Sequence, residues 1–340
     1  MEEFLMLNVG VIGCGGMGRD HIARITNRIQ GAQVVAVCDV FEEGAKKAAA
    51  ICNAKVYTDE NQLINDPDVQ AVFIVTPGFA HVDALLEAIK AGKRIFCEKP
   101  LCTTAEDCLK VVQAEVASGK HLIQLGFMRR YDLGYVKVKE ALQSGEYGEP
   151  LMLHCTHRNP EVGTNYNTPM AVHDTAIHEI DVLHWLVNDE YESAQVIMPR
   201  VTKYSHSELK DPQIMLLRTK KGVCIDVEVF VNCKFGYDIN CEVVCEDGSI
   251  KMPTATIYPT IRKNAAVSTK IDTDCFVRFK DAYDAEVQAW VDDAAKGIIG
   301  GPNAWDGYLA AITADALVKA QQTGAIEPIK AAVEKPEFYK

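Results

Sequence analysis

From Leu7 onward, short runs of β-branched and aliphatic residues alternate with stretches whose apolar positions recur every three to four residues. The runs LNVGVI, VVAVCDV, KVY, AVFIV, RIFCEK and HLIQLGF have the length and composition of strands covered on both faces. Between them, AHVDALLEAIKAG sets Val82, Leu85, Leu86 and Ile89 at the spacing of a helix face packed on a sheet. This alternation predicts an α/β domain, a doubly wound parallel sheet, over residues 1–125.

The pattern changes after Gly126. A helix is expected from Tyr131 to Ser144, a strand at LMLHCTH and a helix from Thr175 to Leu186, followed by the runs VIMPRV, IMLLRT, VCIDVEVFVN and YDINCEVVCE. The later runs are joined by turns such as Lys221-Gly222 and Asp247-Gly248, which favours antiparallel, meandering strands. Residues 126–340 therefore read as a second, α+β domain. Two more helices are expected at Ala282–Ala295 and Trp305–Gln322, separated by Gly300, Gly301 and Pro302, and returning toward the first domain.

With 340 residues, two domains around a shared ligand cleft are the natural expectation. Hydrophobic residues make up 48% and charged residues 24%, and no stretch is apolar enough to span a bilayer. A net charge of -12 disfavours nucleic acid and anionic membranes, since neither polyanion is drawn to an acidic surface. A small neutral partner fits better. The start MEEFLMLNVGVIG lacks the basic segment of a secretory signal, so a cytoplasmic protein is expected. Its twelve cysteines include no C-x-x-C pair and read as reduced core residues.

The first strand runs into Gly13-Cys14-Gly15-Gly16-Met17-Gly18, a G-x-G-x-x-G between strand and helix. The first glycine permits the tight turn, the second lets backbone approach a pyrophosphate, and the third lets helix and strand pack closely. A purely conformational glycine turn is the competing reading. Asp39 ends the second strand about 20 residues later, where a carboxylate accepts from a ribose 2′-hydroxyl. Val40 and Phe41 follow, with no cation for a 2′-phosphate, which favours NAD over NADP. Thr76-Pro77 and Glu98-Lys99-Pro100 end later strands at the same ligand-binding edge; a solvated Lys99 is the bland alternative.

In HDTAIHEIDVLHWL, Asp174 and His178 are four apart and share one helix face. They read either as a polar pair facing a cavity, or as a first-turn carboxylate and a core histidine. Five histidines lie between His154 and His184. A metal centre is nevertheless not expected, because no ligand spacing of a zinc site is present and His154 and His157 alternate across a strand. His157, Arg158 and Asn159 read either as hydrogen-bonding partners for hydroxyl groups or as a solvated turn.

GCGGMG, Glu98-Lys99-Pro100 and Asp174-x-x-x-His178 together resemble the glucose-fructose oxidoreductase and inositol dehydrogenase family. GFMRRYD, HRNP, HEIDVLHWLVND, LKDPQI, VNCKFGYDI, AWDGY and KPEFY extend the likeness to its inositol dehydrogenases over nearly the whole chain. The resemblance implies a Rossmann domain, a second domain on a large, mostly antiparallel open sheet, and a homotetramer assembled through that sheet. It implies a catalytic group of Lys99, Asp174 and His178, and a polyol pocket lined by Arg129, His157, Asn159 and Tyr237. The implied reaction is NAD-dependent oxidation of a secondary alcohol, with myo-inositol ahead of scyllo-inositol or an aldose such as glucose. His178 would be the base, since an imidazole with an ordinary pKa of about 6.5 suits neutral pH. The other expectation is a non-catalytic, nucleotide-dependent sensor, against which the joint presence of Lys99, Asp174 and His178 counts.

Overall fold

The computed structural model describes residues 6–253 and 258–340. The chain divides into two units, one of Met1–Phe127, Tyr283–Ala311 and Ala332–Lys340, the other of Met128–Ala282 and Ile312–Ala331. All twelve cysteines are free thiols. Among the described residues, no helix is long and apolar enough to cross a membrane.

The first unit runs β1 (Leu7–Ile12), α1 (Gly16–Asn27), β2 (Ala32–Cys38), α2 (Glu42–Cys52), β3 (Lys55–Tyr57), α3 (Glu60–Ile64), β4 (Ala71–Ile74), α4 (His81–Lys90), β5 (Arg94–Glu98), α5 (Ala105–Ser118) and β6 (Ile123–Gly126). Its six strands lie in the order β3-β2-β1-β4-β5-β6, and every neighbouring pair is parallel. The central strands are apolar throughout because both faces are covered. Phe73 on β4 stacks on Phe96 on β5 with ring centroids 4.5 Å apart, and the indole of Trp290 stands edge-on to Phe73 at 4.9 Å. Trp290 belongs to the long helix Lys280–Lys296, which explains why a segment so late in the chain is part of this core. The order of strands reverses direction between β1 and β4, so the crevice beyond their carboxyl ends is where a ligand of such a sheet binds.

That crevice is shaped by the glycine turn. Gly13 has a φ of +98°, a conformation that side chains disfavour. A Cβ on Gly18 would lie 2.0 Å from the carbonyl oxygen of Gly13, so α1 can rest on the end of β1 only with hydrogen at that position.

The second unit contains α6 (Leu133–Ser144), β7 (Pro150–Arg158), a π-helical turn (Ala171–Ala176), α7 (Ile177–Val187), β8 (Tyr191–Ile197), β9 (Gln213–Thr219), β10 (Cys224–Phe230), β11 (Asp238–Cys245) and β12 (Ser249–Lys251). Its seven-stranded sheet runs β12-β11-β7-β10-β9-β8 and ends on the short strand Glu327–Pro328. The strands are not a simple meander. β7 is inserted between β10 and β11, pairing parallel with the first and antiparallel with the second, while the remaining pairs are antiparallel. Along β10, Ile225, Val227 and Val229 are buried and alternate with Asp226 and Glu228 on the opposite face. α6 is tied to the end of α7 by Lys139, whose ammonium donates to the carbonyls of Trp185 and Leu186 at 2.6 and 3.1 Å. That interaction places a cation on exposed helix C-terminal carbonyls.

The Gly13–Gly18 contact is testable by stability. Gly18→Ala should cost about 1–3 kcal/mol of overpacking, read as a lower Tm by calorimetry in the absence of ligand.

Candidate active site

In the first unit the sequence-predicted residues gather at the carboxyl ends of the strands. Gly15 caps α1 with no side-chain hydrogen bond to the helix N–H groups. A Cβ on Gly15 or Gly16 would meet nothing within 4 Å, so the start of the helix is open, and Met17 packs back onto the core. Exposed N–H groups at a helix start favour an anion. Asp39 is held by the same loop, its Oδ2 accepting from the Cys14 N–H at 2.8 Å and its Oδ1 from the Phe41 N–H at 2.9 Å. Burial, reinforced by the Asp39 charge, pushes the Cys14 thiol up to about 12, so Cys14 is an unreactive wall of the loop. An open, uncapped helix start beside a fixed carboxylate fits the pyrophosphate and ribose of a dinucleotide.

Thr76 and Pro77 follow β4. His81, on α4, lies with Nε2 2.8 Å from the Thr76 carbonyl and Nδ1 2.8 Å from the Pro100 carbonyl, and so braces the ends of β4 and β5 against each other. Lys99 is half-buried. Glu98 is buried, with both carboxylate oxygens turned into the protein.

In the second unit, Arg129 and His157 converge on a residue that the sequence reading passed over. Glu179, 1% exposed, forms an ion pair through Oε1 with Arg129 and lies 2.8 Å from His157 Nδ1 through Oε2. Arg129 Nη2 is also 3.1 Å from that nitrogen. Burial pushes the Glu179 carboxyl up, but Arg129 and His157 outweigh it and hold it below its ordinary value. The guanidinium lies 5.2 Å from the Phe279 ring centroid, and Tyr237 stands edge-on to His157 at 5.8 Å. Burial raises the Tyr237 phenol, so Tyr237 is a neutral hydrogen-bonding group. Asn159 lies just past β7, and its Oδ1 is buried with no hydrogen-bond partner among the described residues.

The neighbouring Arg130 pairs with Asp181, Nε donating to Oδ2 at 2.9 Å. The signal was present in the sequence as Arg129-Arg130 and Glu179-x-Asp181: charged residues inside an otherwise apolar helix require partners. Asp174 and His178 lie on either side of the junction between the π turn and α7. Asp174 is exposed and His178 is 9% exposed. The π turn is pinned by Tyr166, whose hydroxyl donates to the Met170 carbonyl at 2.7 Å and lies 2.5 Å from Thr175 Oγ1. Such widened turns recur where helices carry functional groups.

Residues 7–127 match the oxidoreductase family with an NAD-binding Rossmann fold, and residues 139–330 match the C-terminal alpha/beta domain of the same family. The chain belongs to the GFO/IDH/MocA oxidoreductase family. An inositol 2-dehydrogenase of Burkholderia cenocepacia is 50% identical over 338 residues, 99% of this chain and 100% of that protein. One of Serratia proteamaculans is 51% identical over 337 residues, covering 98% of this chain and 99% of its own. The crystal structure of myo-inositol dehydrogenase from Lactobacillus casei in complex with NAD(H) and myo-inositol has a TM-score of 0.96 at 45% identity, covering 98% of this chain and 100% of that one. The GFO/IDH/MocA assignment makes the first unit an NAD-binding domain and the chain an oxidoreductase.

Within this family member, Glu179 supports a pH prediction. Its folded-state pKa is depressed, so its contribution is full above the ordinary carboxylate value of about 4.3 and is lost as pH falls through the folded value. Glu179→Gln should lower Tm at pH 7 and flatten the fall of Tm on acidification. Glu179→Ala, which leaves Arg129 buried without its anion, should cost about 3–5 kcal/mol. A Tm equal to the wild type's at pH 7, with the same fall toward pH 3, in both variants would remove the charge from this role.

Proposed function

We propose that the protein oxidises myo-inositol at a secondary alcohol to 2-keto-myo-inositol with reduction of NAD. The observation carrying this reading is the likeness to inositol 2-dehydrogenases at 50% identity across 99% of the chain, together with retention of Lys99, Asp174 and His178. When bound, NAD supplies the acceptor that takes the carbinol hydrogen with its electron pair, leaving a ketone and NADH once the hydroxyl proton has gone to the protein.

His178 is the base that takes that proton. Asp174 orients the imidazole and stabilises its protonated form. Lys99 donates to the reacting oxygen and stabilises negative charge developing there. Arg129, His157, Asn159 and Tyr237 hold the other ring hydroxyls, and Glu179 keeps the first two of these in place. In the cofactor half, Gly13, Gly15, Gly16, Met17 and Gly18 form the pyrophosphate cradle, Asp39 takes the adenosine ribose, and Thr76, Pro77, Glu98 and Lys99 form the nicotinamide edge.

Assembly into a homotetramer through the seven-stranded sheet goes with this reading. The face that carries Met152, His154, Leu216 and Asp226 bounds an open groove of about 320 Å³; light scattering should give a mass near four times 37.5 kDa.

His178→Ala should lower kcat by about 10²–10⁴-fold, the usual worth of a general base, with NAD affinity retained by calorimetric titration. Near-normal turnover would remove His178 from this role. The rate of oxidation should fall as pH drops and the base takes up its proton, and a flat acidic limb would count against it. Gly15→Ala should keep the ligand-free Tm, since its Cβ meets nothing within 4 Å, and raise the Kd for NAD. NADH formation with myo-inositol, scyllo-inositol and glucose, each with NAD and NADP, tests substrate and cofactor together. Faster turnover of another polyol would overturn the substrate assignment.

A further inference from the structure

Glu98 precedes the proposed catalytic lysine, yet its side chain turns inward. It is 7% exposed. Its Oε1 lies 2.9 Å from Nε2 of His21, and its Oε2 accepts from the backbone N–H of Lys99 at 3.1 Å. The neighbouring strand leaves space for this carboxylate: Gly126 is the register partner of Glu98, and a Cβ there would lie 3.1 Å from the carboxylate carbon and from both oxygens.

His21, on α1, is 0% exposed, and the rings of Phe73, Phe96 and Tyr283 surround it at 5.6, 5.6 and 6.2 Å. Its Nδ1 lies 3.1 Å from Nη1 of Arg24. A guanidinium only donates, so Nδ1 carries a lone pair and the ring proton sits on Nε2, from which it is donated to Glu98. A second proton, on Nδ1, would set two donors face to face. That geometry makes the Nε2–H of His21 the donor and the Glu98 carboxylate its acceptor. Burial pushes the Glu98 carboxyl up, but its neighbours, His21 first and then Lys99, outweigh it and hold it below its ordinary value.

Arg24 is fixed in turn by Asp20 at 2.6 Å and by Asp284 at 2.8 Å, with its guanidinium 5.0 Å from the Tyr283 ring centroid. The result is a chain of donors and acceptors from two partly exposed aspartates, through Arg24, His21 and Glu98, to one backbone amide. A site between three aromatic rings would be filled with less desolvation by leucine. A polar chain kept there at that cost, and ending on the amide of Lys99, points to a role beyond packing.

We propose that His21 and Arg24 are positioning residues for Lys99, acting through the Glu98 carboxylate that clamps its backbone amide. This rests on the reading of Lys99 as the group that holds the reacting oxygen.

The test compares His21→Leu, which fills the space without polar groups, with His21→Gln, which keeps a donor and an acceptor. Both are measured as NAD-bound enzyme with myo-inositol. His21→Leu should lower kcat at least about tenfold with NAD affinity kept. It should also move the acid limb to higher pH, since a buried carboxyl deprived of its donor holds a proton more readily. His21→Gln should restore most of both. Independently of turnover, hydrogen exchange at the Lys99 amide should be slow in the wild type and in His21→Gln, and faster in His21→Leu. If His21→Leu does not fold, Arg24→Met, which frees Nδ1 from the outer end of the chain, carries the same readouts.

Wild-type kcat, acid limb and Lys99 exchange in His21→Leu would overturn the proposal. So would equal losses in the leucine and glutamine variants with no change of pH profile, because that result assigns His21 to packing alone. If the wild type turns over no polyol, the functional reading fails, and the exchange comparison still decides whether His21 fixes Lys99.

Discussion

A carboxylate removed from water must be met by donors on both oxygens or give up its charge, and both units of this protein are arranged around that demand. In the first, Glu98 is held by an imidazole N–H and by a backbone amide. In the second, Glu179 is held by a guanidinium and by an imidazole. The same solution appears away from the candidate site, where Glu115 Oε1 accepts from the N–H groups of Leu122 and Ile123 at 2.7 and 2.9 Å and its Oε2 from the Tyr339 hydroxyl. Asp211 likewise takes the amides of Val231 and Asn232. Each buried acid thus ties together segments distant in the chain, and the two beside proposed functional residues fix those residues as well.

This arrangement separates the groups proposed to hold the substrate from those proposed to react. Glu179 fixes the orientations of Arg129 and His157, which suits the proposed role of these two residues in holding ring hydroxyls at set angles. His178 and Asp174 lie at a helix junction that Tyr166 pins from outside the helix. The π turn there interrupts the regular helix spacing where the proposed proton acceptor emerges.

Much of this was legible in the chain because it depends on local chemistry. The apolar runs of the first domain give strands, the glycines mark the turn that only hydrogen can occupy at Gly18, and Asp39 follows at the ribose distance. Asp174 and His178 announce themselves by a spacing of four. The spacing does not disclose the π turn, since a widened turn leaves the same residue count. Nor could the insertion of β7 between β10 and β11 be read from turn signals, which report only on consecutive strands. The pairings that matter most were also hidden: Arg129 and Glu179 are 50 residues apart, and His21 and Glu98 are 77 apart. Charged residues in apolar segments announce that partners exist, but only the fold says which.

The contact between Gly126 and Glu98 links the histories of two positions. As long as an acid occupies position 98 and folds back across β6, a side chain at position 126 crowds that carboxylate, which must give way by a few tenths of an ångström. Alanine at 126 needs that carboxylate to shift off its donors, or the acid at 98 to be shortened or lost. Related chains should therefore vary at these two sites in concert, and a glycine that looks like an unremarkable strand end records a constraint imposed from the neighbouring strand.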